Sequence, residues 1–277
     1  MNRLSRYGLL LIAGLGAVAL LPQRPAPASE IQILPHSAVY RMELTALAAG
    51  SAVSAVVGRM EFEWQETCDA WTVSQRALMR VNYGDGTELD FGWTMNSWES
   101  KDGHSYRFFI RRLYNGGASE ELRGKAELQP SRGGEAVFTK PDDRTLALPA
   151  ETMFPTEHTK VLLTAARKGW PSTGSLWRPV FDGSGDSGLF GVSATMIESL
   201  GPEAGEGPGL DLVRELPSWR MRLAFFDLEQ AQGQAPAHEQ ALRLYANGVV
   251  DELVLDYDEF SVRAILEDLK PVPAPTC

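Results

Sequence analysis

Cysteine is nearly absent from this 277-residue chain. There are two, Cys68 and the terminal Cys277, beside four histidines, His36, His104, His158 and His238, no two of them at metal-ligand spacing. That scarcity excludes a cysteine-rich zinc or disulfide scaffold, and no metal site or cofactor is expected. A basic cluster is missing too. With a formal charge of -10, the chain is a poor match for nucleic acid or for anionic lipid headgroups, and no nucleic-acid partner is expected. Long apolar runs are absent as well: the longest, Leu9–Leu21, has 13 residues, where a bilayer-spanning helix needs about 20.

That short run has a different reading. Arg3 and Arg6 precede it, and Pro22 and the small-residue site Ala26-Pro27-Ala28 follow, which is the three-part pattern of a secretory signal peptide. Residues 1–28 are read as the signal, with cleavage after Ala28, and residues 29–277 as a single domain. Cleavage removes three arginines and no acid, taking the formal charge to -13. No membrane anchor is expected to remain, and neither cysteine stands where a lipoprotein would need one. The predicted address is the periplasm, where disulfides form and persist. Two cysteines allow one internal pairing, Cys68 with Cys277; a dimer linked through Cys277 is the rival, and a monomer is the expectation.

Apolar residues recur at period two, the mark of half-buried strands. Met60, Phe62 and Trp64 alternate with Arg59, Glu61 and Glu63; Trp71, Val73, Ala77, Met79 and Val81 alternate with polar neighbours; so do Leu89, Phe91, Trp93 and Met95, and Tyr106, Phe108 and Ile110. The stretches YGDG, KDGH, YNGG, DGSG and ANGV punctuate these runs as tight turns, so the strands follow one another as antiparallel hairpins. GPEAGEGPG, residues 201–209, reads as an exposed loop. One segment differs: FPTEHTKVLLTAARKG, residues 154–169, predicts a three-turn amphipathic helix with Thr156 as N-cap and Val161, Leu162 and Ala165 on its packed face.

Motifs that hint at catalysis are incomplete. Gly185-Asp186-Ser187-Gly188 resembles a serine-protease nucleophile stretch but continues with Leu189, and only one of the three triad roles has a candidate. His238-Glu239 opens like a zinc-protease helix, with Leu242 where the second histidine must stand. Asp256, Asp258 and Glu259 lack the glycine and final glutamate of a calcium loop. His158, on the packed helix face, reads as a hydrogen-bonded structural histidine.

The segments LPAETMFPTEHT (148–159), FDGSGD (181–186) and RLYANGVVDELVLDYDEF (243–260), with the placement of Cys68 and Cys277, resemble the alphaproteobacterial periplasmic family of envelope integrity protein B. The resemblance covers about Ala38 to Cys277. It implies a β-spiral, an incomplete antiparallel barrel akin in shape to periplasmic lipoprotein carriers, with a disulfide tying the chain end to an early strand. It also implies a role in envelope maintenance without enzymatic activity, and cooperation with a periplasmic tetratricopeptide-repeat protein.

Seven tryptophans on alternating strands then become candidates for the concave side of a curved sheet. The expected cavity lining is Phe62, Trp64, Phe91, Trp93, Phe108 and Leu162, with the helix as a lid over the aromatic face. The expected function is a non-enzymatic carrier or scaffold holding a lipid-like chain, an acylated segment or a partner protein; the alternative is a hydrolase of envelope polymers acting through scattered acids or Ser187.

Overall fold

In a computed structural model describing residues 31–129, 131–202, 209–229 and 235–277, the alternating runs are strands. The expected signal peptide and most of the 201–209 loop lie outside the described residues. The first half of the chain forms β1 (His36–Leu47), β2 (Val53–Glu66), β3 (Ala70–Tyr83), β4 (Glu88–Ser100), β5 (Ser105–Tyr114), β6 (Gly117–Gln129), β7 (Gly133–Lys140) and β8 (Arg144–Leu148). After the helix α1 (Pro155–Lys168) come β9 (Leu176–Phe181), β10 (Leu189–Leu200), β11 (Ser218–Asp227), β12 (His238–Tyr245), β13 (Val250–Asp256) and β14 (Phe260–Pro271).

The 14 strands make one antiparallel sheet in the order β8 back to β1, then β14 back to β9. Hairpin turns propagate it. At the β5–β6 turn, for example, Asn115 and Gly116 both take positive φ, 48° and 78°, which matches the right-handed twist of the flanking strands. The single pairing between elements distant in sequence is β1 with β14, where His36 faces Pro271 on one side and Trp64 of β2 on the other.

The sheet curls until its edges, β8 and β9, approach without pairing. The gap is closed by side chains: Tyr106, Phe108, Phe138 and Leu148 from one edge pack with Phe154, Phe181 and Leu189 from the other. The backbone contributes one parallel bridge, Met153 to Val180, with Met153 N–H donating to Pro179 O (3.0 Å) and Phe181 N–H to Met153 O (3.0 Å). This is a nearly closed barrel with one α-helix among the described residues. Two further buried clusters fill the interior, one around Tyr40, Met79 and Phe260, the other around Trp64, Trp71, Leu162, Leu163 and Trp219.

The helix differs from its expected start. Pro155 is the first helical residue and Phe154 occupies the N-cap position with no side-chain cap bond, because proline with its fixed φ is pre-organised there. Thr156 therefore lies inside the first turn, buried. The inward face carries Thr156, His158, Leu162 and Leu163, while Val161 and Ala165 pack at its margin. Leu162→Asp would place a carboxylate in this cluster, and a loss of several kcal/mol is expected, about that of a large core lesion. Denaturant unfolding measures it; a near-neutral result would mean the helix face is not packed as described.

Cys68 and Cys277 are bonded, with Cα atoms 5.7 Å apart. Cys68 lies between β2 and β3, at the end of the sheet where β14 exits beside β1. The proline-rich tail continues from there, with Val272 N–H donating to Pro35 O at 2.9 Å, and crosses β1 to reach it. The cysteines are 209 residues apart, and closing so long a loop in the unfolded chain is worth at most about 5 kcal/mol. Cys68→Ser and Cys277→Ser are expected to lower the melting temperature equally, the double variant no further, with the strands retained. Melting that matches the parent under oxidising conditions would contradict this.

Candidate functional site: an elongated cavity with an apolar middle

The inner faces leave a cavity of about 910 Å3 between the buried clusters. On β4 the alternate residues Phe91, Trp93, Met95, Ser97 and Glu99 all border it, so the strand accompanies it for about 26 Å at the usual rise per residue. Opposite stand Leu223 and Phe225 of β11, Leu242 and Leu244 of β12, and Leu253 and Leu255 of β13. The helix contributes Thr156, His158 and Leu162 at the Glu99 end.

Of the residues expected from sequence, Phe62, Trp64, Phe91, Trp93 and Leu162 border this space. Phe108 does not. Its ring is buried in the seam cluster, 5.2 Å from Phe138 and 5.7 Å from Phe181. Two glycines make its berth: a Cβ on Gly124 would come within 2.7 Å of the ring and one on Gly183, at φ 77°, within 2.6 Å. The tryptophans also divide. Trp64 and Trp93 face the cavity, Trp71 and Trp219 are buried beside it, Trp170 packs against that cluster, and Trp98 and Trp177 are on the outer wall.

Sequence reasoning missed Glu99. It is buried at the end of β4, in phase with the apolar residues of that strand, and its two carboxylate oxygens accept from the N–H groups of Thr156 (2.8 Å) and Glu157 (2.9 Å). A side chain 57 residues upstream of Thr156 thus caps the helix that has no cap of its own, satisfying backbone donors that helix starts leave open. Burial pushes the Glu99 carboxyl up to about 7, against the opposing pull of those two N–H groups and Lys160.

His158 sits nearby on the helix. Burial, with the Arg178 charge second, lowers it to about 4, so the ring is neutral near pH 7. It is structural in position, but its Nε2 has no hydrogen-bond partner among the described residues, unlike the bonded histidine expected. Burial likewise lowers His36 and His238, and His238 lies stacked on Phe225 with ring centres 4.2 Å apart. Burial raises Asp182, whose Oδ1 accepts from Ser184 N–H at 2.7 Å. Ser187 is buried in the β9–β10 turn: its hydroxyl contacts Leu189 O and Asp227 Oδ1 (both 3.2 Å) and accepts from Leu189 N–H (3.1 Å). These are the bonds of a turn, and they leave the hydroxyl inside the wall. The arrangement suits an elongated guest along its apolar middle, with polar groups toward both ends: Glu99 and His158 beside the helix, and Arg112, Ser119, Asp256 and Asp258 toward Phe91.

Glu99 and His158 act on stability with opposite sign. Glu99 titrates higher in the folded state than its ordinary 4.5, so the fold holds the extra proton and stability falls as pH rises from about 4.5 to 7, by roughly 3 kcal/mol. His158 titrates lower than its ordinary 6.5, so its contribution rises with pH from about 4 to 6.5. Comparing Glu99→Gln with the parent isolates the first: the variant is expected to gain stability relative to the parent between about pH 4.5 and 7. A difference independent of pH in urea melts would contradict a raised Glu99.

Comparison with known proteins agrees with this architecture. The chain is 28% identical over 248 residues to the cell envelope integrity protein EipB of Brucella abortus (strain 2308), covering 87% of this chain and 85% of that one. The crystal structure of a beta-barrel-like protein of the domain class DUF1849 from Brucella abortus superposes with a TM-score of 0.78 at 24% identity, over 88% of this chain and 100% of the other, which shows the shared fold. The family described as EipB-like matches residues 27–273. Spanning the sheet from before β1 to the end of β14, that match shows that the chain belongs to the EipB-like family.

Proposed function

We propose that this protein is a non-enzymatic periplasmic carrier that supports the integrity of the cell envelope by holding a lipid-like acyl chain in its cavity. The observation carrying the reading is the cavity itself: about 910 Å3, bordered along β4 and β11 to β13 by apolar side chains, inside a disulfide-tied barrel. Its volume lies within the range of small-molecule sites, and closed sheets of many strands are suited to enclosing such guests. The disulfide accords with an oxidising compartment, and the name of the Brucella abortus relative supplies the envelope role. No observation favours the hydrolase reading, since Ser187 is committed to its turn.

Extraction of protein purified from its own periplasm, followed by mass spectrometry, is expected to recover a stoichiometric lipid or acyl chain. Met95→Trp, which adds an aromatic ring at mid-cavity, is expected to abolish that recovery while leaving the melting temperature near that of the parent. An empty parent protein, or an equally loaded variant, would overturn the carrier reading.

A further inference from the structure

The outer wall carries a surface that the cavity does not explain. In register across three strands, Trp98 of β4 lies opposite Arg107 of β5, Arg107 opposite Lys125 of β6, and Phe109 of β5 opposite Arg123 of β6. The Arg107 guanidinium covers the Trp98 ring at 4.8 Å from its centre, and that of Arg123 covers Phe109 at 5.1 Å. Val137 and Thr139 of β7 border the shallow groove between them. Arg107, Arg123 and Lys125 are exposed, and among the described residues none of the three pairs with a carboxylate. Of the nearby acids, Glu121 pairs with Arg111 (2.6 Å), while Glu127 accepts from the Ser105 hydroxyl (2.6 Å) and stands opposite Glu135 of β7 at the margin of the groove. The linear sequence has no basic cluster, so this one is made by the pairing of β4, β5 and β6.

We propose that this face docks the protein on a bilayer surface bearing anionic phospholipid headgroups. Three cations that form no ion pair among the described residues give an otherwise acidic chain one side that such a surface attracts, while its net charge repels the remainder. Guanidinium groups match phosphate oxygens with paired donors. Trp98 and Phe109 beneath them supply flat rings of the kind that settle at the headgroup boundary. A bound peptide fits less well: β4, β5 and β6 each have strand neighbours on both sides, so no free edge is offered for strand addition.

The docking inference is independent of what the cavity holds, and the test keeps the two apart. The full mature protein is sedimented with vesicles of phosphatidylcholine alone and of phosphatidylcholine mixed with phosphatidylglycerol. Binding to the mixed vesicles is expected to be at least about tenfold tighter, and to be lost at roughly 0.5 M salt. Arg107→Glu with Arg123→Glu is expected to abolish the preference, with unchanged melting and unchanged cavity contents. Arg107→Gln with Arg123→Gln, which perturbs the wall less, is expected to weaken it about tenfold or more, removing two of the three charges. Equal binding to both vesicles, no binding to either, or a preference surviving in both variants would overturn the proposal. So would capture of an acidic polyglutamate peptide in place of the mixed vesicles.

Discussion

The structure depends on a seam that hydrogen bonds do not close. Thirteen antiparallel ladders join the strands in one continuous sheet, yet β8 and β9 do not pair: side-chain packing, the Met153 bridge and a Tyr106 hydroxyl bond to Asp182 O (3.3 Å) span the gap. A strand edge left open inside a curled sheet would present unpaired backbone groups. Here the chain itself covers the problem, because the segment joining β8 to β9 turns into α1 and packs across that end. Tyr106, Phe138, Phe154 and Phe181 are essentially inaccessible to solvent, and their edge-to-face and stacked contacts do what backbone ladders do elsewhere.

The cavity follows from the same constraint. A sheet of this many strands encloses more space than its inward side chains fill, and one of the filled regions is where the helix enters. Phe108 illustrates the division: glycines at 124 and 183 draw its ring into the seam, away from the lumen. What remains unfilled is bordered by strands whose inward residues are apolar for most of their length, by Glu99 and His158 where the helix arrives, and by Arg112, Asp256 and Asp258 toward Phe91.

Much of this was legible from period-two alternation. The runs of β2 to β5, the turns between them and the helix were placed by local pattern, since alternation and turn chemistry act over a few residues. The family resemblance, more than the pattern, carried the incomplete closure and the cysteine pairing. The aromatic side chains were less well placed where phase was ignored: Trp98 stands five residues after Trp93 and therefore points to the other side of β4, a fact available from counting. Phe108 was in the right phase, and its fate was decided by contacts with residues far along the chain. The helix start was misjudged because Thr156 follows Pro155, and proline takes the first helical position. Glu99 left a readable signal, an acid in step with Phe91, Trp93 and Met95, but its meaning required the distant N–H groups it caps.

That long-range cap bears on how the helix is held in the wall. Opening the wall between two paired strands would break a ladder of backbone hydrogen bonds at once, whereas releasing α1 from its place loses two bonds to Glu99, one from Arg167 to Ala246 O and the packing of Leu162 and Leu163. Local opening occurs where the fewest such contacts must be given up. The carboxyl that anchors the helix is also held near its titration midpoint at neutral pH, so its hold combines two hydrogen bonds with a standing cost of buried charge. The helix end of the barrel is thereby where a titrating carboxylate borders the cavity, held by the same two hydrogen bonds that cap α1.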